Sequence, residues 1–208
     1  MTFLNDLSFT QALVRGAAYL IIAAIHAFAW AAIAGLLGDR DPAFAGRRTL
    51  NPFVQASLPG LISAILFRVG WSKPVVTDPV HLRWGRLGAL LVLFGGLAVL
   101  LVVVGLCNPL RLFITDRLTG SNELNALGVV QEVQQQSIFF VLFNLLPLPG
   151  LAGQLWLLAL RPGLGVQLRR YELPVMIVII LVEMTGVVAT ALAAPSAWLS
   201  HLLVTQIS

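Results

Sequence analysis

Residues 21–52 read IIAAIHAFAWAAIAGLLGDRDPAFAGRRTLNP, an alanine-rich apolar run with a single histidine, His26, near its middle. The run stops at Gly38-Asp39, where a helix C-terminus is expected. It then gives way to a polar turn with Pro42, Gly46, Arg47 and Arg48. Extended backwards, the run predicts a helix over 16–37, about 33 Å long and enough to cross the hydrocarbon core of a bilayer. Its alanines suit close packing against other helices better than a lipid-facing surface. An imidazole is costly to keep at that depth, so His26 belongs either to a working site or to what remains of one.

Composition fixes the solvent. The 208 residues are 58% hydrophobic and 11% charged, with a mean hydropathy of +0.90. Soluble domains run at roughly 45–50% apolar and about 25% charged. The expectation is an all-α, polytopic membrane protein forming one membrane domain over 1–208, with no room for a separate soluble domain. The formal charge of +4 comes from 13 Lys and Arg spread over every loop. Scattered in this way they read as anchors near lipid headgroups. A nucleic-acid partner would need a clustered basic face, and there is none. Cys107 is the single cysteine, which excludes an internal disulfide and a Cys-based metal site. The first eleven residues contain Asp6 and no basic residue, so the N-terminus is not expected to be a cleaved signal.

Outward from the opening stretch, residues 1–15 read as a short amphipathic lead-in. Residues 53–67 (FVQASLPGLISAILF) are apolar but broken by Pro59-Gly60, and read as either a kinked span or a re-entrant element. Residues 68–86, with Trp71 and Trp84 among basic side chains, have an interfacial composition. Residues 87–106 are the plainest span, and their Gly95-Gly96 pair invites a close helical neighbour. Residues 107–136 are the most polar region and read as a solvated connection with some helix. The apolar stretch 137–160 is interrupted by Pro147-Leu148-Pro149-Gly150, which predicts a broken span. A last span is expected over 173–194 with Glu183 at its middle, followed by an amphipathic tail bearing Trp198 and His201. Counting four crossings plus segment 53–67 puts Arg15, Arg68, Lys73, Arg83, Arg86, Arg161, Arg169 and Arg170 on one side. Arg40, Arg47, Arg48, Arg111 and Arg117 fall on the other, an imbalance that favours a cytoplasmic N-terminus.

Separated stretches resemble one family. Leu37-Gly38-Asp39, Gly46-Arg47-Arg48-Thr49-Leu50-Asn51-Pro52, Gly60, Gly70-Trp71-Ser72-Lys73-Pro74-Val75 and Asn144-Leu145-Leu146-Pro147-Leu148-Pro149-Gly150-Leu151-Ala152-Gly153 follow in order. They are similar to L-G-D, G-R-x-T-L-N-P, the glycine of x-x-H-x-D-P-x-G, G-W-x-K-P-V and N-L-L-P-x-P-x-L-D-G. These are motifs of the site-2 protease group of intramembrane zinc proteases, in its compact bacterial branch. The resemblance covers residues 16–160. It implies a site-2-protease-like helical core and a place in the bacterial inner (cytoplasmic) membrane.

In that family, two histidines of H-E-x-x-H and a later aspartate hold zinc, and the glutamate is the general base on zinc-bound water. Counted back from Gly38-Asp39, the first histidine matches His26, the glutamate Ala27 and the second histidine Trp30. The aspartate matches Ala152, and the family's intermediate histidine and aspartate match Gln55 and Ser57. One zinc ligand of three remains and the base is gone, so no zinc and no catalytic residue is expected. The resemblance implies a pseudoprotease, a binding or accessory subunit whose partner is another integral membrane protein or complex, together with lipid. Asn144, with Pro147 and Pro149, either holds a peptide strand, as the family's substrate-holding role implies, or satisfies carbonyls freed by the helix break. His26 and Glu183 are the intramembrane ionisable groups; they form a buried pair or are each bonded within the bundle. Two alternatives remain at this point: an active zinc protease with unrecognised ligands, and a small transporter or proton-conducting subunit built on Glu183.

Overall fold

Ser8 opens the first helix. Its hydroxyl accepts the Gln11 N–H while the Gln11 side chain accepts the N–H of Ser8, a reciprocal cap. The computed structural model describes residues 8–204, so residues 1–7 of the lead-in lie outside the described residues. Helix α1 (Phe9–Leu36) therefore starts a full two turns before the sequence expectation, and its 28 residues span roughly 42 Å. It ends where Gly38 takes a φ of 104°, a conformation that favours glycine.

The short helices α2 (Asp41–Phe44) and α3 (Pro52–Gln55) follow, then α4 (Leu58–Phe67). At ten residues, about 15 Å, α4 is too short to cross a bilayer, so segment 53–67 is not a kinked span. The chain turns back at Arg68 and runs extended past α4, with a lone antiparallel bridge between Ala56 and Ser72. Gly60 and Gly70 permit this crossing. A Cβ on Gly60 would collide with the Trp71 carbonyl, and one on Gly70 would lie 2.9 Å from the Tyr19 ring.

Helix α5 (Gly85–Arg117) runs through Pro109 for 33 residues, and α6 (Ser121–Asn144) follows after a turn at Gly120. Residues 107–136 are thus helical apart from the turn before Ser121; most of 109–129 is exposed, as expected, whereas 130–136 is largely buried. Two of the glutamines that made the region look exposed, Gln134 and Gln136, have partners inside. Gln134 donates to Val104 O and Asn108 Oδ1, and Gln136 donates to Arg15 O and Glu132 Oε1. The Gly95-Gly96 pair does meet a close neighbour: a Cβ on Gly95 would lie 2.8 Å from Ile33 of α1.

After α6 the chain breaks at 145–153, where Pro147 and Pro149 lie, and resumes as α7 (Gln154–Leu160). A 3₁₀ turn (Pro162–Leu164) leads into α8 (Gly165–Met184) and α9 (Val187–Leu203). The predicted last span is not one helix. Its two halves meet at 80° across Thr185-Gly186, with Gly186 at a φ of 76°, so Glu183 lies at the end of α8. Among the described residues the fold is all-helical. Two helices, α1 and α5, are long and apolar enough to cross a membrane, or three if the bent α8–α9 pair is one span. That is fewer than the four crossings expected, because α6 carries too many polar residues and α7 is too short.

Helices α1, α5 and α6 pack on one another with α7 against α5. One apolar cluster joins them, running from Ile22, Ala27 and Trp30 through Val92, Leu93 and Leu97 to Phe140, Ala152 and Leu155.

Two glycine substitutions should separate crowding from helix propensity. Gly60→Ala is expected to cost about 2 kcal/mol through overpacking. Gly105→Ala, in the interior of α5 with nothing within 4 Å of its added carbon, should stabilise by about 0.5–1 kcal/mol. Unfolding in detergent measures both, and equal effects would contradict the crossing geometry.

Candidate functional site

The extended stretch 69–73 poses the chemical problem of this fold. Non-helical backbone packed among membrane helices must find donors for its carbonyls. Here each donor is a side chain on a neighbouring element. Ser63 donates to Val69 O (2.5 Å), Asn144 to Gly70 O (3.0 Å), Tyr19 to Trp71 O (2.9 Å) and Arg47 to Lys73 O (2.6 Å). The Tyr19 hydroxyl has one proton for two acceptors, Trp71 O and Ser57 O (3.0 Å), and it accepts the N–H of Ser57 (2.9 Å); Lys73 N donates to Gln55 O.

His26 belongs to this fastening. Its Nδ1 lies 3.1 Å from Ser72 Oγ, and one turn later Trp30 Nε1 donates to Thr77 Oγ1 at 2.8 Å. Tyr19, His26 and Trp30 are spaced by seven and four residues and so share one face of α1. That face holds the extended segment to the helix along its length.

Around the imidazole, the positions that the family resemblance assigns to zinc chemistry are packed apolar. Ala27 (0% exposed), Trp30 (2%) and Ala152 (6%) lie in one buried cluster with Phe140. The His26 ring (1%) meets Phe140 edge-on at 5.0 Å and Trp30 at 5.8 Å. Its Nε2 has no partner and faces Gly96, where an added carbon would lie 3.7 Å away. One imidazole among alanine, indole and phenyl does not fit a zinc centre, which takes at least three protein ligands.

Other candidate residues find separate places. No hydrogen bond or ion pair joins His26 to Glu183, since His26 is bonded to Ser72 and Glu183 to Ser63 (2.5 Å). The Ser63 hydroxyl contacts two acceptors, Val69 O and Glu183 Oε2, with one proton. The bridge is complete only when the carboxyl supplies the other. The Asn144 amide is fully engaged within the chain. Both its N–H groups donate, to Gly70 O and to Phe140 O (2.9 Å), and its oxygen accepts Ala152 N (3.4 Å). Pro147 is exposed and Pro149 half-buried in the break, which Gly150 turns with a φ of 86°. Gln55 and Ser57, at the family's intermediate positions, do local work. Gln55 donates to Arg47 O and Thr49 O, and Ser57 Oγ accepts Gly60 N.

One grouping was not visible in the sequence. Asp39, Asp41 and His81 bring their ligand atoms within 4.8 Å of one another, the only such metal-competent group among the described residues. Forty residues separate His81 from its partner Asp41 (3.0 Å), and no spacing rule connects them. Asp39 is engaged in loop closure, its oxygens accepting the N–H groups of Asp41 and Asp78. Burial raises its carboxyl above the ordinary range, against those two bonds. The group works as a clasp between the turn after α1 and the segment before α5.

Comparison with protein-family models, with curated proteins and with solved structures finds no match for this chain.

Asn144→Leu removes the donor to Gly70 O and should cost about 1–3 kcal/mol, the penalty of a buried carbonyl without a partner. Equilibrium unfolding in mixed micelles measures it; a change below about 0.5 kcal/mol, the scale of an ordinary surface substitution, would remove Asn144 from the fastening.

Proposed function

We propose that this chain is a catalytically inactive, site-2-protease-like protein, multi-pass in the bacterial inner membrane with a cytoplasmic N-terminus. In this reading it serves as a binding or accessory subunit of a membrane complex. The observation that carries the proposal is the convergence of His26, Ala27, Trp30 and Ala152. His26, Ala27 and Trp30 neighbour one another on α1, and Ala152, far along the chain, joins Ala27 and Trp30 in one buried apolar cluster. Helix geometry alone brings the first three together; the presence of Ala152 in the same cluster is the part that supports the reading.

The chemistry of that point supports loss of catalysis. A general base needs a side chain that accepts a proton, and alanine has none. A catalytic zinc also needs an open position for water, whereas the Trp30 indole and the Phe140 ring close the space. A scaffold of this kind retains its shape while offering surfaces. Helix α9 buries none of its residues and exposes Val187, Trp198 and Leu202, a face left for lipid or for a partner span.

Two measurements on protein purified from its native membrane in mild detergent test this reading. Metal analysis should find far less than one zinc per chain, and mass spectrometry should find another integral membrane protein co-purifying in fixed ratio. Stoichiometric zinc lost on His26→Ala would overturn the inactive assignment. A chain that purifies alone would overturn the subunit role.

A further inference from the structure

Two neighbouring cavities of different character lie beside the α8–α9 bend. The first, about 290 Å³, is bordered by Arg15, Arg68, Gln135 and Glu183 on its polar side and by Phe139 and Val188 among its apolar residues. The second, about 410 Å³, is lined by apolar side chains alone, among them Phe143, Val175, Ile179 and Val182, and it shares Val188 with the first.

Their order relative to the membrane follows from the helix packing. Gln136 of α6 reaches the Arg15 carbonyl near the start of α1, and Phe140 packs on His26 at the middle of α1. The two helices therefore run the same way, and Phe143 lies one turn deeper than Phe139. With Arg15 and Arg68 at the headgroups, where basic side chains near the end of a span lie, the polar cavity falls at that level and the apolar one deeper.

Charge and hydrogen bonding specify what the polar cavity takes. Arg15 and Arg68 share one carboxylate, with Nε atoms 3.9 and 3.1 Å from Glu132 Oε1, so one positive charge is left over. Across the cavity, Glu183 is 3% exposed, and its Oε1 has no partner in the protein. A buried acceptor without a donor is costly, and the cavity is where a donor can come from. We propose that this crevice binds one phospholipid. Its phosphodiester sits at Arg15 and Arg68, a headgroup hydroxyl or ammonium donates to Glu183 Oε1, and an acyl chain fills the apolar cavity. This site is independent of the catalytic status of the His26 region.

Native mass spectrometry of the full chain in mild detergent tests it. Phosphatidylethanolamine, phosphatidylglycerol and phosphatidylcholine of matched chain length are titrated separately, with glycerophosphoethanolamine as the chain-free headgroup. The first two lipids should bind once per chain and about tenfold or more tighter than phosphatidylcholine, whose headgroup has no N–H or O–H. The chain-free headgroup should not compete at equal concentration. Glu183→Leu should bring the two favoured lipids down to the phosphatidylcholine level. Arg68→Gln should weaken all three by about tenfold. Val188→Trp, at the residue that borders both cavities, should also weaken all three. Thermal unfolding checks that each variant is folded. Equal binding of the three lipids by the unmodified chain overturns the headgroup assignment, as does unchanged selectivity in Glu183→Leu. Unchanged affinity in Val188→Trp, or full competition by the chain-free headgroup, overturns the acyl-chain assignment.

Discussion

A carbonyl that is in neither a helix nor a sheet has no place among membrane helices unless a side chain comes to meet it. The extended run at 69–73 is such a stretch, and the surrounding structure is arranged to supply it. Tyr19, Ser63 and Asn144 come from three different helices and Arg47 from a loop, and each donates to one carbonyl of that run. Their positions in turn constrain the helices. Asn144 has to end α6 where the chain breaks, and Gly60 has to lack a side chain where α4 passes Trp71. A polar residue removed from this set leaves a buried carbonyl unpaired, whereas a lost apolar contact leaves only a gap.

Against that constraint, the residues that look like remnants of chemistry have structural work. His26 and Trp30 present polar atoms to Ser72 and Thr77 while their rings fill the core. Trp30 does both at once, its Nε1 donating to Thr77 Oγ1 while the indole packs in the core. Asn51 caps α3 through the Phe53 N–H, and Asp39 closes the turn after α1. The motif residues that shape backbone thus have visible jobs. On the reading proposed here, the ones that would do catalysis have been replaced by packing.

Much of this was legible in the sequence because hydropathy and glycine act locally. Helix α1, the core of α5, the stop at Gly38 and the break between Asn144 and Gln154 each follow from runs of neighbouring residues. Three features were not. Helix α6 hides Gln134 and Gln136 by tertiary bonds to Val104, Asn108 and Arg15, and composition alone reads those residues as solvated. The α8–α9 bend depends on Gly186 adopting a left-handed conformation within an otherwise continuous apolar run. The partners of His26 and Glu183 are serines 46 and 120 residues away, and a lone serine carries no signal of that kind. In the candidate site, nothing in the run around His26 signals that Ser72 would bond to it.

The central claim is that a zinc-site scaffold persists here with its ligands replaced. The direct measurement is metal binding by the triple variant Ala27→Glu, Trp30→His, Ala152→Asp, using X-ray absorption on folded, detergent-purified protein. The account predicts about one zinc per chain, with nitrogen and oxygen ligands at about 2.0–2.2 Å, and none in the unmodified chain. A folded triple variant that binds no zinc would contradict it.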